Sequence, residues 1–448
     1  MRDIPSRVTW MMAFLILGLL AMAGRLYRLS VAETALWQGQ AQENMVRELP
    51  NYGPRGFIYD ARGRPLAVSE PAYAVMLTDQ DPAHVEKALP ALAEVLSGGD
   101  PAKARSIADG IRQQVARNKA AGLQFEPLLV ETNLSPAEVT ALTERRPELP
   151  GVVIKLQSTR RYPQGSVAGA VMGYVGAIGE ELKEPAFAGY NADEVVGKDG
   201  IELAYEPDLR AKPGSDSVIV DPLGKRVGGA TETPPIPGNN IYLTLDLDLQ
   251  RVAETALTRQ MEWIRQLNDP HAKPVRGALV VQNVKTGAIL AMVSIPTYDP
   301  NWLIGGITED RWQQLQKQPG AMVNWAIKGF APGSTYKMAT ALAGLEAGVL
   351  GPNEQIRCPA TYWKYGNPKN WNGDQGVTDV ARALAISCNP FFFEVGDRLG
   401  MDRLAASNEH LGFGRQTGFD LPGESPGANP SQATYGDDFL PGYTINAA

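Results

Sequence analysis

Histidine and cysteine are both scarce: three of the first and two of the second in 448 residues. So few ligands, far apart, cannot assemble a familiar zinc centre, and no cofactor-binding motif stands in its place. No G-x-S-x-G elbow is present, and with histidine this rare a Ser-His-Asp triad is disfavoured. A dense basic block is missing too. With a formal charge of −7, the chain does not read as a nucleic-acid partner. Gly412-Phe413-Gly414 through Gly418 follows no clear strand and lacks the spacing of a nucleotide loop. Cys358 and Cys388 read as bystander thiols; pairing is the alternative if this part of the chain lies outside the cytosol.

What is present begins with one long apolar run. Val8 to Gly24 is uncharged, follows Arg2 and Arg7, and precedes Arg25 and Arg28, with Trp10 and Tyr27 at interfacial positions. It reads as a transmembrane anchor over 8–28 behind a short cytoplasmic segment, 1–7. Ala21-Met22-Ala23 keeps a cleaved leader open as the rival. Hydrophobic content of 44% and charged content of 20% suit folded domains, and the length allows two or three.

The chemistry centres on Gly333-Ser334-Thr335-Tyr336-Lys337. Pro332 and Gly333 break the preceding segment, and a helix is predicted from Ser334 to a stop at Gly348. Met338, Ala341, Leu342 and Leu345 are its expected buried stripe. Residues three apart on a helix are neighbours, so the hydroxyl of Ser334 and the amine of Lys337 can meet. A serine attacks an acyl carbon well only when a base takes its proton, and lysine serves only when neutral. Burial or a nearby cation must therefore lower its usual value near 10.4. The helix start also offers free backbone N–H groups, that of Ser334 included, to a developing oxyanion. Taken alone S-x-x-K is a weak signal, and a capping serine with a solvated lysine fits it too. A second element follows 53 positions on, Ser387-Cys388-Asn389, ahead of Pro390-Phe391-Phe392-Phe393.

These two motifs, in this order, resemble the penicillin-binding protein and serine β-lactamase superfamily. Four further stretches resemble the class B penicillin-binding proteins. They are Gly277–Val281 with Lys285–Met292, Tyr298-Asp299-Pro300-Asn301, and Thr417–Glu424; Arg55–Asp60 with Gly63 and Leu66-Ala67 resembles the first box of that class's N-terminal module. Arg160-Arg161-Tyr162-Pro163 and Gly197–Glu202 with Tyr205-Glu206 look like its later boxes. Trp371 with Gly373-Asp374-Gln375-Gly376 is similar to the elongation-type subgroup, penicillin-binding protein 2.

The expected fold is α+β and multidomain: a transmembrane helix, an α+β pedestal over 29–238, and a partial transpeptidase domain of sheet and flanking helices over 239–448. In the pedestal, helices are predicted over 84–98 and 101–121, a capping box at Ser135-Pro136-Ala137-Glu138, and a strand from Gly151. Its charged residues read as a solvated surface. Thr233 to Asn240, rich in proline, reads as the linker. Beyond it a strand at Ile241–Leu245, an amphipathic helix over Asp246–Leu267 burying Leu249, Val252, Ala253, Ala256 and Leu257, and two strands are expected. The Lys285-Thr286-Gly287 turn between those strands precedes Ser334, so it reads as a structural hairpin and not as the superfamily's third catalytic motif.

The resemblance implies a D,D-transpeptidase of peptidoglycan synthesis. Ser334 is then the nucleophile, Lys337 the base, Ser387 a proton relay and Asn389, with Ser387, a substrate contact. Implied partners are stem peptides on lipid II-derived strands, β-lactams, the membrane and a RodA-like SEDS glycosyltransferase. It also implies that the strand carrying the true Lys-Thr-Gly comes after the point where Ala448 stands, so the expectation for a 448-residue chain is impaired or no turnover. Two rivals remain: a non-catalytic activator of the glycosyltransferase, and a β-lactamase or β-lactam sensor.

Overall fold

The computed structural model describes residues 4–28, 46–120, 127–191, 194–220, 226–267, 273–431 and 433. The first box forms the expected hairpin. Ile58–Tyr59 pairs antiparallel with the start of the strand Pro65–Leu77, and Gly63 at φ +76° makes the turn. Asp60 is fully buried beneath it. Its carboxylate accepts the Arg62, Arg64 and Leu247 backbone N–H groups and the Arg64 side chain. Burial alone pushes this carboxyl up; the hydrogen bonds outweigh it and hold it below the usual range.

Pro65–Leu77 then runs the length of the pedestal. It pairs with Val152–Arg161 from Val68 to Leu77, and its far half also pairs with Leu128–Leu134. Three helices cover that far half: Pro82–Leu96, Pro101–Ala120 and Pro136–Glu144. Their core joins Leu89, Leu92, Ile111 and Leu142 to Val75 and Leu77 of the strand. Ser135 and Glu138 close the capping box read from the sequence. A three-stranded sheet, Val46–Asn51, Gly214–Val220 and Arg226–Thr233, completes the module.

Most of the pedestal's described charged residues are exposed, in line with the expectation, but a few depart from it. Arg160, Glu194, Glu202 and Glu206 are all buried. Glu202 receives Arg55 and Arg160 at 2.6 Å each and the Tyr162 hydroxyl at 3.1 Å. Glu206 receives Arg55 at 2.6 Å and the Gly197 N–H at 2.7 Å. All three pedestal boxes thus converge on one buried ionic cluster, because fixed charges can leave water only when each finds a partner.

The proline-rich segment is no loose tether. Lys212 and Ile236 exchange backbone hydrogen bonds, Gly238 donates to Pro54, and Asn239 donates to Asp208. A side chain on Gly238 would meet the Leu209 carbonyl at 1.9 Å, so only glycine lets the backbones approach. Ile241–Tyr242 then adds a parallel strand beside Ile58–Tyr59, shorter than expected because Leu243 to Asp246 turn into the next helix. One core joins Ile58, Leu66, Tyr162, Met172 and Leu209 to Leu245, Leu247, Met292 and Leu421. The expected domain junction lies inside packed hydrophobic structure.

The helix Leu247–Gln266 packs on the hairpin Gly277–Gln282 and Ile289–Ile295. Its buried face differs from the expected stripe. Ala253 is buried, Leu249 and Leu257 pack partly, but Val252 and Ala256 are exposed. Gln250 takes the central position instead: its amide exchanges 2.8 Å hydrogen bonds with both backbone groups of Met292, as a paired strand would. Lys285-Thr286-Gly287 forms the exposed hairpin turn, with Gly287 at φ +79°. At the N-terminus, Ile4–Tyr27 is one helix, and Trp10–Tyr27 is long and apolar enough to cross a membrane.

Candidate active site

The Pro332-Gly333 break sets the geometry of the first motif. Gly333 takes φ +55°, and Gly333–Tyr336 forms a tight 3₁₀ turn that runs directly into the helix Lys337–Glu346. Ser334 is exposed on that turn, and Lys337 is the first residue of the helix proper. The expected stripe is wrong for this helix as well: Met338, Leu342 and Leu345 are exposed, and only Ala341 of the four is buried. The buried residues are Lys337, Ala339, Thr340, Ala341, Ala343 and Gly344, all small or polar; Lys337, Thr340, Ala341 and Gly344 among them repeat at i, i+3, i+4, i+7. Small residues win because the neighbouring helix Asn389–Leu399 comes very close: a side chain on Gly344 would meet Val395 at 2.7 Å.

That close approach brings the second motif onto Lys337. Its ammonium nitrogen is 2.9 Å from the Ser387 carbonyl, 3.0 Å from Ser387 Oγ and 2.5 Å from Asn389 Oδ1. Lys337 is only 6% exposed, and the Phe392 ring lies beneath it, 5.7 Å from Nζ. Burial lowers the amine below its usual value; among the described residues no carboxylate is bonded to it to hold the proton. The contacts sort themselves by chemistry. The Ser387 carbonyl and Asn389 Oδ1 are acceptors and take two N–H groups. A neutral amine has just two, which leaves its lone pair for the Ser387 hydroxyl; among the described residues Ser334 Oγ is not hydrogen-bonded to Lys337, so the expected meeting of the two is not seen directly.

Ser387 itself adopts φ +51°, a region β-carbon residues avoid. The residue after it takes part in a pairing read the other way from sequence. Cys358 and Cys388 are joined in a disulfide, so the bystander reading is corrected. Spacing could not reveal it; the fold brings the strand Ile356–Cys358 beside the helix start, with Cα atoms 6.2 Å apart. Closing a loop of 30 residues stabilises by about 3–4 kcal/mol in the chain-entropy account. Replacing both cysteines by serine should lower the midpoint of thermal unfolding, and wild-type protein in reductant should show the same loss. Equal melting of oxidised and reduced protein would dismiss that role.

Sequence reasoning also passed over Asn370 and the part Trp371 plays. Trp371 Nε1 donates to the Ser387 carbonyl at 3.2 Å, sharing that acceptor with Lys337. Asn370 Oδ1 accepts the Asn389 N–H at 3.2 Å. Their neighbourhood is anchored along the same helix by Tyr362 on Glu394, and by Lys364 and Tyr365 on Asp397. The density of Trp, Asn and Gly over 358–376 was the available signal.

Comparison with known proteins bears on the same elements. Residues 50–243 match the Penicillin-binding Protein dimerisation domain, and 277–447 match the Penicillin binding protein transpeptidase domain. A chain from a structure described as "Structural coordination of polymerization and crosslinking by a peptidoglycan synthase complex" is 31% identical, with a TM-score of 0.63, over 98% of this chain and 73% of that one. The chain belongs to the penicillin-binding proteins. Relatives of this penicillin-binding protein include the peptidoglycan D,D-transpeptidase MrdA of Escherichia coli K12, 33% identical over 93% of this chain, and that of Acinetobacter baumannii, 30% identical over 95%. The chain spans 64% and 61% of their respective lengths. Penicillin-binding protein 2 of Helicobacter pylori, solved in complex with MreC, shares the fold at a TM-score of 0.72 and 24% identity, over 90% of this chain and 73% of its own.

Proposed function

We propose that this penicillin-binding protein works as an elongation-type peptidoglycan D,D-transpeptidase, with Ser334 as nucleophile and Lys337 as its base. The observation that carries the reading is the desolvated amine of Lys337, held by Ser387 and Asn389 and one turn from an exposed serine. Neutral Lys337 takes the Ser334 proton as Oγ attacks the carbonyl between two D-alanines of a stem peptide. The C–N bond then breaks, and Ser387 passes a proton to the departing amine of D-alanine. This leaves an ester on Ser334, which an amine from a neighbouring strand converts to a new amide, freeing the serine. Asn389, whose Oδ1 meets Lys337, orients the donor peptide. A β-lactam presents the same acyl carbon in a ring and should stop at the ester.

The apolar helix is the anchor in this reading, with residues 1–7 cytoplasmic and the remainder on the outer face. The pedestal, 29–238, then meets a membrane-embedded RodA-like glycosyltransferase. The 31%-identical chain of a peptidoglycan synthase complex supports such a partner. The test is labelling by fluorescent penicillin of protein expressed from its complete coding sequence. A single stoichiometric label should form on wild type and be absent from Ser334→Ala. A label that persists in Ser334→Ala sinks the assignment.

A further inference from the structure

Asn370, which belongs to neither motif, is bonded to the backbone of the second one and to the disulfide beside it. It is 7% exposed, and its orientation is fixed by its neighbours. Nδ2 faces three acceptors: the Gly373 carbonyl at 2.7 Å, Asn372 Oδ1 at 2.8 Å and Cys358 Sγ at 3.5 Å. Oδ1 faces a donor, the Asn389 N–H, at 3.2 Å. The backbone is fixed too, the Asn370 N–H donating to the Ala360 carbonyl at 2.9 Å. Reversing the amide would set oxygen against oxygen at two contacts.

The N–H it receives is one a helix cannot satisfy itself. Asn389 opens the helix Asn389–Leu399, so its N–H has no carbonyl a turn earlier. Pro390 has no N–H, and the next orphan, the Phe391 N–H, is taken by Cys388 Sγ at 3.2 Å. Asn370 also touches the sulfur bonded to Cys388, so the disulfide and the amide grip the same helix start from two sides. Ser387, immediately before, is held in a left-handed conformation that survives only where its surroundings over-determine it. Both acceptors that fix the Lys337 amine, the Ser387 carbonyl and Asn389 Oδ1, sit on this three-residue frame, Ser387-Cys388-Asn389.

We infer that Asn370 is a positioning residue for the acylation step: by holding the Asn389 backbone against the Cys358–Cys388 disulfide, it sets the two acceptors that aim the Lys337 lone pair. The inference rests on the proposed role of Lys337. Without Asn370 the frame relaxes, and a displacement of about an ångström at a reacting group can cost up to roughly 100-fold in rate. Asn370→Asp keeps the shape. It sets a carboxylate against the Gly373 carbonyl and Asn372 Oδ1, and adds a negative charge beside the motif that favours the protonated amine of Lys337.

The experiment measures the second-order rate of penicillin acylation against pH for protein from the complete coding sequence. Thermal unfolding is recorded in parallel. In Asn370→Ala the plateau should fall roughly 10- to 100-fold, and in Asn370→Asp the inflection should move to higher pH. A merely structural role lowers melting temperature and leaves the plateau rate of the folded protein at the wild-type value; the shifted inflection of Asn370→Asp follows from its added charge and is not the deciding readout. If Asn370→Ala fails to fold, the plateau of the isosteric Asn370→Asp, read above its inflection, decides. Wild-type plateau rates in the folded variants overturn the positioning role while Ser334 labelling stands. Loss of the parent reading looks different: no label on wild type, or a label that survives Ser334→Ala.

Discussion

Lys337→Met should acylate about 10²–10⁴-fold more slowly than wild type, the range a positioned general base contributes. The side chains are similar in length and volume, so the helix pair that meets at Gly344 keeps its spacing. What disappears is the proton acceptor. The pH profile should carry the proof. Burial lowers the Lys337 amine from 10.5, so wild-type acylation should rise with pH and level off below that value. In Lys337→Met this limb should vanish. Stability follows a definite sign. Between the lowered folded value and 10.5 the unfolded chain binds the extra proton, so the native state gains stability as pH rises through that window. Below it the cost of burying an ammonium is present in full. Lys337→Met removes this slope, and its melting temperature should depend less on alkaline pH than that of wild type. A variant that acylates normally, with the same rising limb, would remove Lys337 from the mechanism.

Glu202→Gln should destabilise the fold by roughly 3–5 kcal/mol, the cost of breaking a buried ion pair. Glu202 is the hub of the pedestal cluster, with no exposed surface. Gln keeps its shape, yet leaves the Arg160 guanidinium without an anion, while Arg55 keeps Glu206. Burial alone pushes the Glu202 carboxyl up; Arg160 and Arg55 outweigh that and hold it below its ordinary value of 4.5. A depressed carboxyl stabilises above its unfolded pKa and loses that contribution as pH falls. Wild type should therefore weaken below about pH 4.5, and Glu202→Gln should lack that part of its acid sensitivity. Chemical unfolding at neutral and acid pH measures both. Equal stability of the two proteins at neutral pH would show the cluster to be dispensable.

Legibility in the sequence followed the range of the interactions. Ser135 and Glu138 announce a helix start because a capping box is satisfied within four residues. The first hairpin is likewise local, with Gly63 in its turn. Ser334 and Lys337 could be named because their spacing is helical, and Ser387 and Asn389 because the resemblance supplied an order of motifs. What stayed hidden was long-range. The disulfide and Asn370 act on residues far along the chain, through a fold that no periodicity encodes. The buried ions were misread because charge alone signals solvent, until partners from three separate boxes arrive together. Both helix stripes were wrong in part, Ala253, Leu249, Leu257 and Ala341 facing the core as expected and the rest not. A polar or small residue can own the buried face when its neighbour supplies hydrogen bonds, as for Gln250, or demands close approach, as for Gly344.

Pro65–Leu77 spans 13 residues, about 43 Å at the usual strand rise, and passes unbroken from the shared core into the three-helix lobe. Its ladder with Val152–Arg161 continues from Val68 to Leu77, so bending the outlying lobe against the core along this path has to distort paired strands. The inner end of the same strand closes the hairpin whose buried Asp60 accepts the Leu247 N–H at the start of the helix after the proline-rich strap.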